Sequence, residues 1–452
     1  LRPSVAKVEG HTLHIAQELS DSITLKSITA YRDLDQDQKD QWAGSFVGPD
    51  VTGRGFNWTG RYSLATVEQD QVSQELQLLG NTERLQYVLG AFYFKEDMAD
   101  TADTLWTLRY INDGTAVEPL GLLRPSRGSE AEATSKALFA QATWTPPVAG
   151  DRVDLTFGLR YTDDEKSGAL VGTDRTFEFD SDRTDPLLVF AYRWNDDMNS
   201  YLRWSTAYRA GGANSRSESY APFGDEEVMA WELGHKMSFL EGRARLNLAA
   251  YHMDYDDQQF TFTSPFNPSV SETVNIDDTV KIRGLEADFE LAPMPGLIVT
   301  LNYAYTDVDS PLVRNPFFDL APDQVRDEFF QPEGGLTPKH AATAAFDYQF
   351  PATRFGSPRA RVDFAYSDSM LVSALATEET DSYTLVNGRL TLEDIPFSFG
   401  GAGLEVALWG RNIFDKEYRY FTATLDATGF SGANVAWYGT PRTYGVDLTL
   451  RF

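Results

Sequence analysis

Cysteine is absent from all 452 residues, which excludes a disulfide framework, a thiolate metal site and a cysteine nucleophile. Long apolar runs are missing too. Although 42% of residues are hydrophobic, no stretch reaches the ~18 consecutive apolar residues that a membrane-crossing helix requires, so a helical membrane protein is excluded. Positive charge is scarce: 39 Lys and Arg face 67 Asp and Glu, and a net charge of -28 opposes the phosphate neutralisation that nucleic-acid binding needs. Nucleic acid is therefore not an expected partner. Acidity of this kind suits solvated loops and a polar interior that keep a β-rich chain soluble during assembly. Histidine is confined to His11, His14, His235, His252 and His340. His11 and His14 would lie on opposite faces of a strand, which makes them a poor metal pair, and no metal or cofactor is expected. His252 and Asp254 share a face and suit an ordinary interfacial pair.

What is present is period-two alternation in segments of about ten residues. Near the end, Tyr444, Val446, Leu448, Leu450 and Phe452 share one face, while Thr443, Gly445, Asp447, Thr449 and Arg451 share the other. Leu297 to Tyr305, Leu155 to Tyr161 and Ala342 to Phe350 repeat the scheme. Tight turns at Pro146 to Asp151, Asn195 to Asn199, Glu241-Gly242 and Pro293 to Gly296 alternate with long polar connections. The long ones are Asp33 to Asp70, Asp97 to Thr134, Gly211 to Glu227, Asp256 to Val280 and Asp307 to Lys339. Short turns on one side and long loops on the other are the layout of a transmembrane antiparallel β-barrel in a bacterial outer membrane, with the long loops outside. Aromatics at 13% suit its interfacial girdles, although a soluble sandwich could share that enrichment.

The pattern predicts an all-β fold of about seventeen strands, an odd count where single-chain bacterial barrels usually have an even one. Residues 1–452 are therefore expected to be part of a larger barrel domain, with processing or truncation having removed what precedes Leu1-Arg2-Pro3-Ser4.

Three runs carry a more specific likeness: YLRWSTAYRAGGANSRS, EEVMAWELGHKMSFLEGRARLNLAAYHMDYDDQQ and VKIRGLEADFELAPMPGL. Together with DSITLKSITAYRD, VSQELQLLG, LQYVLGAFYFKED and the closing VALWGRNIFDKEYR and YGTPRTYGVDLTLRF, they resemble consecutive strands of TonB-dependent outer-membrane receptors of the ferric-siderophore branch. The resemblance implies a twenty-two-stranded barrel closed by a plug. It implies a receptor that binds a scarce solute, foremost a ferric siderophore complex, and imports it with energy from the TonB complex. Its further partners would be outer-membrane lipid, lipopolysaccharide and the barrel-assembly machinery. The plug, the energy-coupling box and the first strands of the family have no counterpart in these residues. A passive porin and receptors for oligosaccharide, cobalamin or aromatic compounds remain as alternatives. An enzyme is not expected, since no Gly-x-Ser-x-Gly elbow and no Ser/His partner set occur.

For ligand capture, the informative positions are those where strands enter long loops: Arg209, Asn214, Arg216 and Tyr220, then Tyr255, Gln258, Gln259 and Phe260. Arginine and aromatic side chains there suit an anionic or aromatic chelate, through charge-assisted hydrogen bonds and cation–π contact. Girdle packing is the ordinary alternative for each. Asp33, Asp35 and Asp37 imitate the start of a Ca²⁺ loop, but Gln38 and Gly44 break its pattern, so a solvated acidic loop is expected. Phe452, a terminal aromatic on an alternating strand, resembles the signal that the barrel-assembly machinery reads.

Overall fold

The computed structural model describes residues 3–451 apart from 42–55, 59–60, 107, 112–115, 120–122, 265–269, 320–327, 333–334, 373–377, 397–402 and 425–433. Its principal element is a 17-stranded sheet in which each strand pairs antiparallel with its neighbours in chain order. The strands are β1 (Val5–Ser20), β2 (Ile23–Gln41), β3 (Arg61–Asn81), β4 (Leu85–Trp106), β5 (Leu123–Trp144) and β6 (Val153–Leu170). Next come β7 (Thr176–Asn195), β8 (Met198–Arg209), β9 (Glu226–Phe239), β10 (Ala244–Asp256), β11 (Val280–Met294) and β12 (Leu297–Asp309). The wall ends with β13 (His340–Gln349), β14 (Ser357–Ser367), β15 (Tyr383–Ile395), β16 (Gly403–Arg411) and β17 (Thr443–Arg451). Among the described residues no pairing joins β1 to β17.

Alternation decides which face is which, because directly paired residues of adjacent strands point the same way. Leu390, Leu408 and Val446 form one such row and Leu392, Val406 and Leu448 the next. On β17, Tyr444 is 82% and Leu448 72% exposed, so none of the described residues covers these side chains. Rows of bare Leu, Val, Phe and Trp need lipid rather than water against them. The opposite face is polar and internally paired: Arg359 donates to both carboxylate oxygens of Asp347 at 2.7 and 2.6 Å. Beside it, Arg389 and the Trp409 indole share Asp447.

Glycines on the polar face seat aromatic rings. A Cβ added to Gly234 would stand 2.2 Å from the Tyr201 ring, and one on Gly284 would stand 2.1 Å from that of Tyr251. Each ring lies flat across the strand beside it and sends its hydroxyl to a polar neighbour, Tyr201 to Glu232 at 2.5 Å and Tyr251 to Thr306 at 3.2 Å. Covering a bare glycine backbone with a ring offsets that residue's weak strand propensity.

All four expected tight turns lie at one end of the wall. The stretches between β8 and β9, β10 and β11, and β12 and β13 form long connections at the other end, as the sequence suggested. Two other expected loops are largely strand. β2 runs to Gln41 and β4 to Trp106, so Asp33, Asp35 and Asp37 pair with Glu9, Lys7 and Val5 rather than forming a solvated loop. An extended strand cannot wrap an ion as a Ca²⁺ loop does.

From β2 to β7 the strands hold 18 to 22 residues, against 9 to 15 from β8 to β17. About ten residues suffice to cross a bilayer, so one side of the wall projects well beyond it on the long-loop side.

Candidate functional site

The long connections after β8, β10 and β12 pack together at the loop end of the wall, built around an apolar cluster and a hydrogen-bonded knot. The cluster is Phe262, Ile276, Val280, Val313 and Phe317, with Tyr255 and Phe260 packed against it. Phe260 meets Phe262 edge-on at 4.8 Å and stacks on Phe330 at 6.3 Å. A hairpin of Gln259–Thr263 and Ser271–Asn275 carries these aromatics over the end of β10.

The knot joins the first loop to this hairpin. Glu226 is 8% exposed, and its Oε2 accepts from Arg209 Nη2 at 2.8 Å and from the Gln259 backbone N–H at 2.8 Å. Gln259 Nε2 donates to the carbonyls of Arg209, Ala210 and Gly224 at 3.3, 3.3 and 3.0 Å. Asn275 completes the junction: Oδ1 accepts from Gly224 N at 2.7 Å, and Nδ2 donates to the carbonyls of Gly224, Asp225 and Asp257. These side chains bond backbone groups of the neighbouring loop and so tie the first connection to the hairpin.

The eight residues singled out from sequence are thus gathered in one place. Asn214 Nδ2 donates to Thr273 Oγ1 at 3.0 Å and its Oδ1 accepts from Arg216 N at 2.9 Å, while the Arg216 carbonyl accepts from Ser271 N at 3.0 Å. Gln258 takes Ile276 N on its carbonyl at 2.9 Å. Tyr220 is 2% exposed, holds a φ of 56° and meets Phe177 edge-on at 5.3 Å, so it anchors the loop to the wall. Burial raises its phenol above the ordinary value. The Arg209 guanidinium stays accessible, its side chain 60% exposed despite the ion pair.

Beside the knot lies an open cleft of about 700 Å³, whose lining includes Glu218, Phe223, Glu272, Val274, Phe317 and Asp319. None of the eight residues lines it. Arg314 holds Asp319 by two bonds at 2.9 and 2.7 Å and Glu328 at 3.1 Å, fastening the third loop. That arginine depresses the Asp319 carboxyl below the usual range. Sequence reasoning missed Glu226, Asn275 and this latch, because their partners are set by loop packing and leave no periodic mark. Phe452 lies outside the described residues. Among the described residues, no group of three or more His, Asp or Glu side chains converges as metal ligands.

Residues 6–413 match the family described as TonB dependent receptor-like, beta-barrel. The chain belongs to that family. It is thereby an outer-membrane, multi-pass β-strand protein. The wall is similar to that of the ferric yersiniabactin uptake receptor FyuA from Yersinia pestis, with a TM-score of 0.75 at 16% identity over 99% of this chain and 62% of that one. The siderophore receptor PiuA from Acinetobacter baumannii gives 0.69 at 16% identity over 99% and 64%. From the same organism, the ferric preacinetobactin receptor BauA gives 0.68 at 16% identity over 99% and 63%. The chain thus spans under two thirds of the length of these three receptors.

Proposed function

We propose that this chain is the membrane wall and ligand-gathering loop assembly of a receptor that takes up a scarce solute, foremost a ferric siderophore complex, with energy delivered through the TonB complex. The observation that carries the reading is the family match across residues 6–413. Three similar structures described as receptors for siderophores or their ferric complexes support the choice of solute. The knotted loop end fits a capture surface, since a site built on pre-ordered loops loses less entropy on binding than one built on free ones. Arg209 and the cleft beside the knot are its proposed contacts, with Gln258, Gln259, Asn214, Arg216, Tyr255, Phe260 and Tyr220 shaping the surface. Barrel-assembly machinery and lipopolysaccharide are proposed partners of the wall.

The test is uptake of radiolabelled iron on a panel of chelates by cells carrying the full-length protein, with and without a protonophore. Saturable uptake of one chelate that stops with the protonophore is the expected result. Uptake indifferent to the protonophore, with ion conductance in planar bilayers, would replace this reading with a passive porin.

A further inference from the structure

The open cleft beside the knot is walled by all three long connections, and each supplies a carboxylate together with an apolar side chain. The first gives Glu218 and Phe223, the hairpin after β10 gives Glu272 and Val274, and the third gives Asp319 and Phe317. Its volume of about 700 Å³ falls within the range of roughly 300–1,000 Å³ typical of small-molecule sites. Phe317 is 3% exposed and belongs to the apolar cluster, so that side of the cleft is fixed by packed core.

The walls are fastened to one another without a solute. Glu272 Oε1 accepts from Glu218 N at 3.0 Å, Asn275 Oδ1 accepts from Gly224 N at 2.7 Å, and Arg314 clamps Asp319. The charge of the lining is of one sign. Among the described residues no Lys, Arg or His lines the cleft, Arg216 and Arg314 of the same connections included. Arg314 offsets Asp319 from outside the lining, whereas Glu218 and Glu272 form no ion pair among the described residues. Two carboxylates from different loops thus border an apolar-walled opening with no cation between them. An anion entering it is repelled, and a neutral apolar body would strip water from the carboxylates without replacing it. A cation carried on an apolar body meets both demands.

We propose that this cleft takes a positively charged end of the imported solute, an ammonium or guanidinium borne beside a ring or alkyl chain. Glu218 and Glu272 pair with the cation, while Phe223, Val274 and Phe317 cover the apolar part. A bare divalent ion would leave the apolar wall unused, which favours an organic cation. The assignment rests on the loop end being the solute-gathering surface and adds the charge class that this surface selects.

The test is fluorine-detected NMR of the full-length protein in lipid nanodiscs. The probes are para-fluorophenethylammonium, its neutral N-acetyl derivative and the para-fluorophenylpropionate anion. The ammonium is expected to bind about tenfold more tightly than the neutral probe, and the anion not detectably. Glu218→Gln with Glu272→Gln should abolish that preference, and glutamine at 272 retains an oxygen to accept the residue 218 N–H, so the loop contact survives. Asp180→Asn with Asp182→Asn removes two exposed carboxylates from β7 and should change nothing, which separates the cleft from general attraction to an acidic protein. No binding of the ammonium probe, equal affinity for the three probes, wild-type preference in the cleft variant, or displacement by calcium at matched ionic strength would each overturn the assignment. Binding is read here without uptake or an energy source, so this assignment and the transport reading fail separately: a passive-porin result leaves the cation preference standing, and its loss leaves TonB-driven uptake standing.

Discussion

Replacing Gly234 by alanine tests the ring seating that shapes the inner face. The new methyl would stand 2.2 Å from the Tyr201 ring, far inside contact distance, so the ring has to swing off the strand. Leaving its seat breaks the 2.5 Å bond to Glu232, a charge-assisted interaction worth roughly 2 kcal/mol, and costs about 1 kcal/mol of ring packing. Alanine returns about 0.5–1 kcal/mol through a smaller entropy loss, so the net cost is about 2 kcal/mol. Urea unfolding of the barrel in lipid, followed by tryptophan fluorescence, reads this as a lowered midpoint with unchanged slope. The decisive comparison repeats Gly234→Ala in a Tyr201→Ala background, where nothing is left to collide with and the same substitution should be neutral or slightly stabilising. A cost of about 2 kcal/mol in both backgrounds would refute the seating argument and assign the effect to the glycine backbone alone.

Glu226→Gln weakens the junction between the first two loops, and about tenfold faster limited proteolysis within 210–225 is expected, with the wall's unfolding midpoint unmoved; unchanged cleavage would show that the knot is not what holds those loops. Arg359→Ala removes both short bonds to the largely buried Asp347, leaving it Arg361 Nη1 at 3.6 Å, and should cost the wall about 2 kcal/mol, whereas Arg359→Ala with Asp347→Ala together should cost clearly less; equal costs would mean that the pair is not coupled. The latch on Asp319 carries a definite sign: because its carboxyl is depressed in the folded chain, the stabilisation is present at neutral pH and lost only as pH falls through that lowered value. Exchange protection of the Asn315 and Phe318 amides, corrected for the intrinsic rate, should therefore persist to pH about 4, and earlier loss would contradict the latch.

The wall was legible in sequence wherever one face meets lipid and the other does not, since Val446, Leu448 and Leu450 repeat at period two against Gly445, Asp447 and Thr449. It was illegible where both faces are polar. From Asp33 to Gln41 no apolar alternation marks the strand, and the acidic run imitates a loop although the backbone pairs in register with β1. Gly234 shows the same limit on a smaller scale: within WELG it looks like a break in the pattern, and only the Tyr201 ring from the next strand explains it. At the loop end, the sequence named Arg, Tyr and Phe where strands enter long connections, and the structure brings those residues together. Sequence could not tell an anchor from an accessible group. Tyr220 is buried against Phe177, and Gln259 spends its amide on carbonyls up to 50 residues away, while Arg209 stays open. Such assignments depend on contacts between loops that share no local pattern.

None of these 452 residues is cysteine, so a thiol introduced among them is the single one in this region. Single cysteines would be placed at Glu218 in a long loop and at Val148 in a short turn of the full-length protein, and intact cells treated with a membrane-impermeant maleimide. The account predicts labelling of Glu218→Cys in intact cells and of Val148→Cys only after the outer membrane is opened. Labelling of Val148→Cys in intact cells, with Glu218→Cys protected, would contradict both the orientation of the wall and the receptor surface built on it.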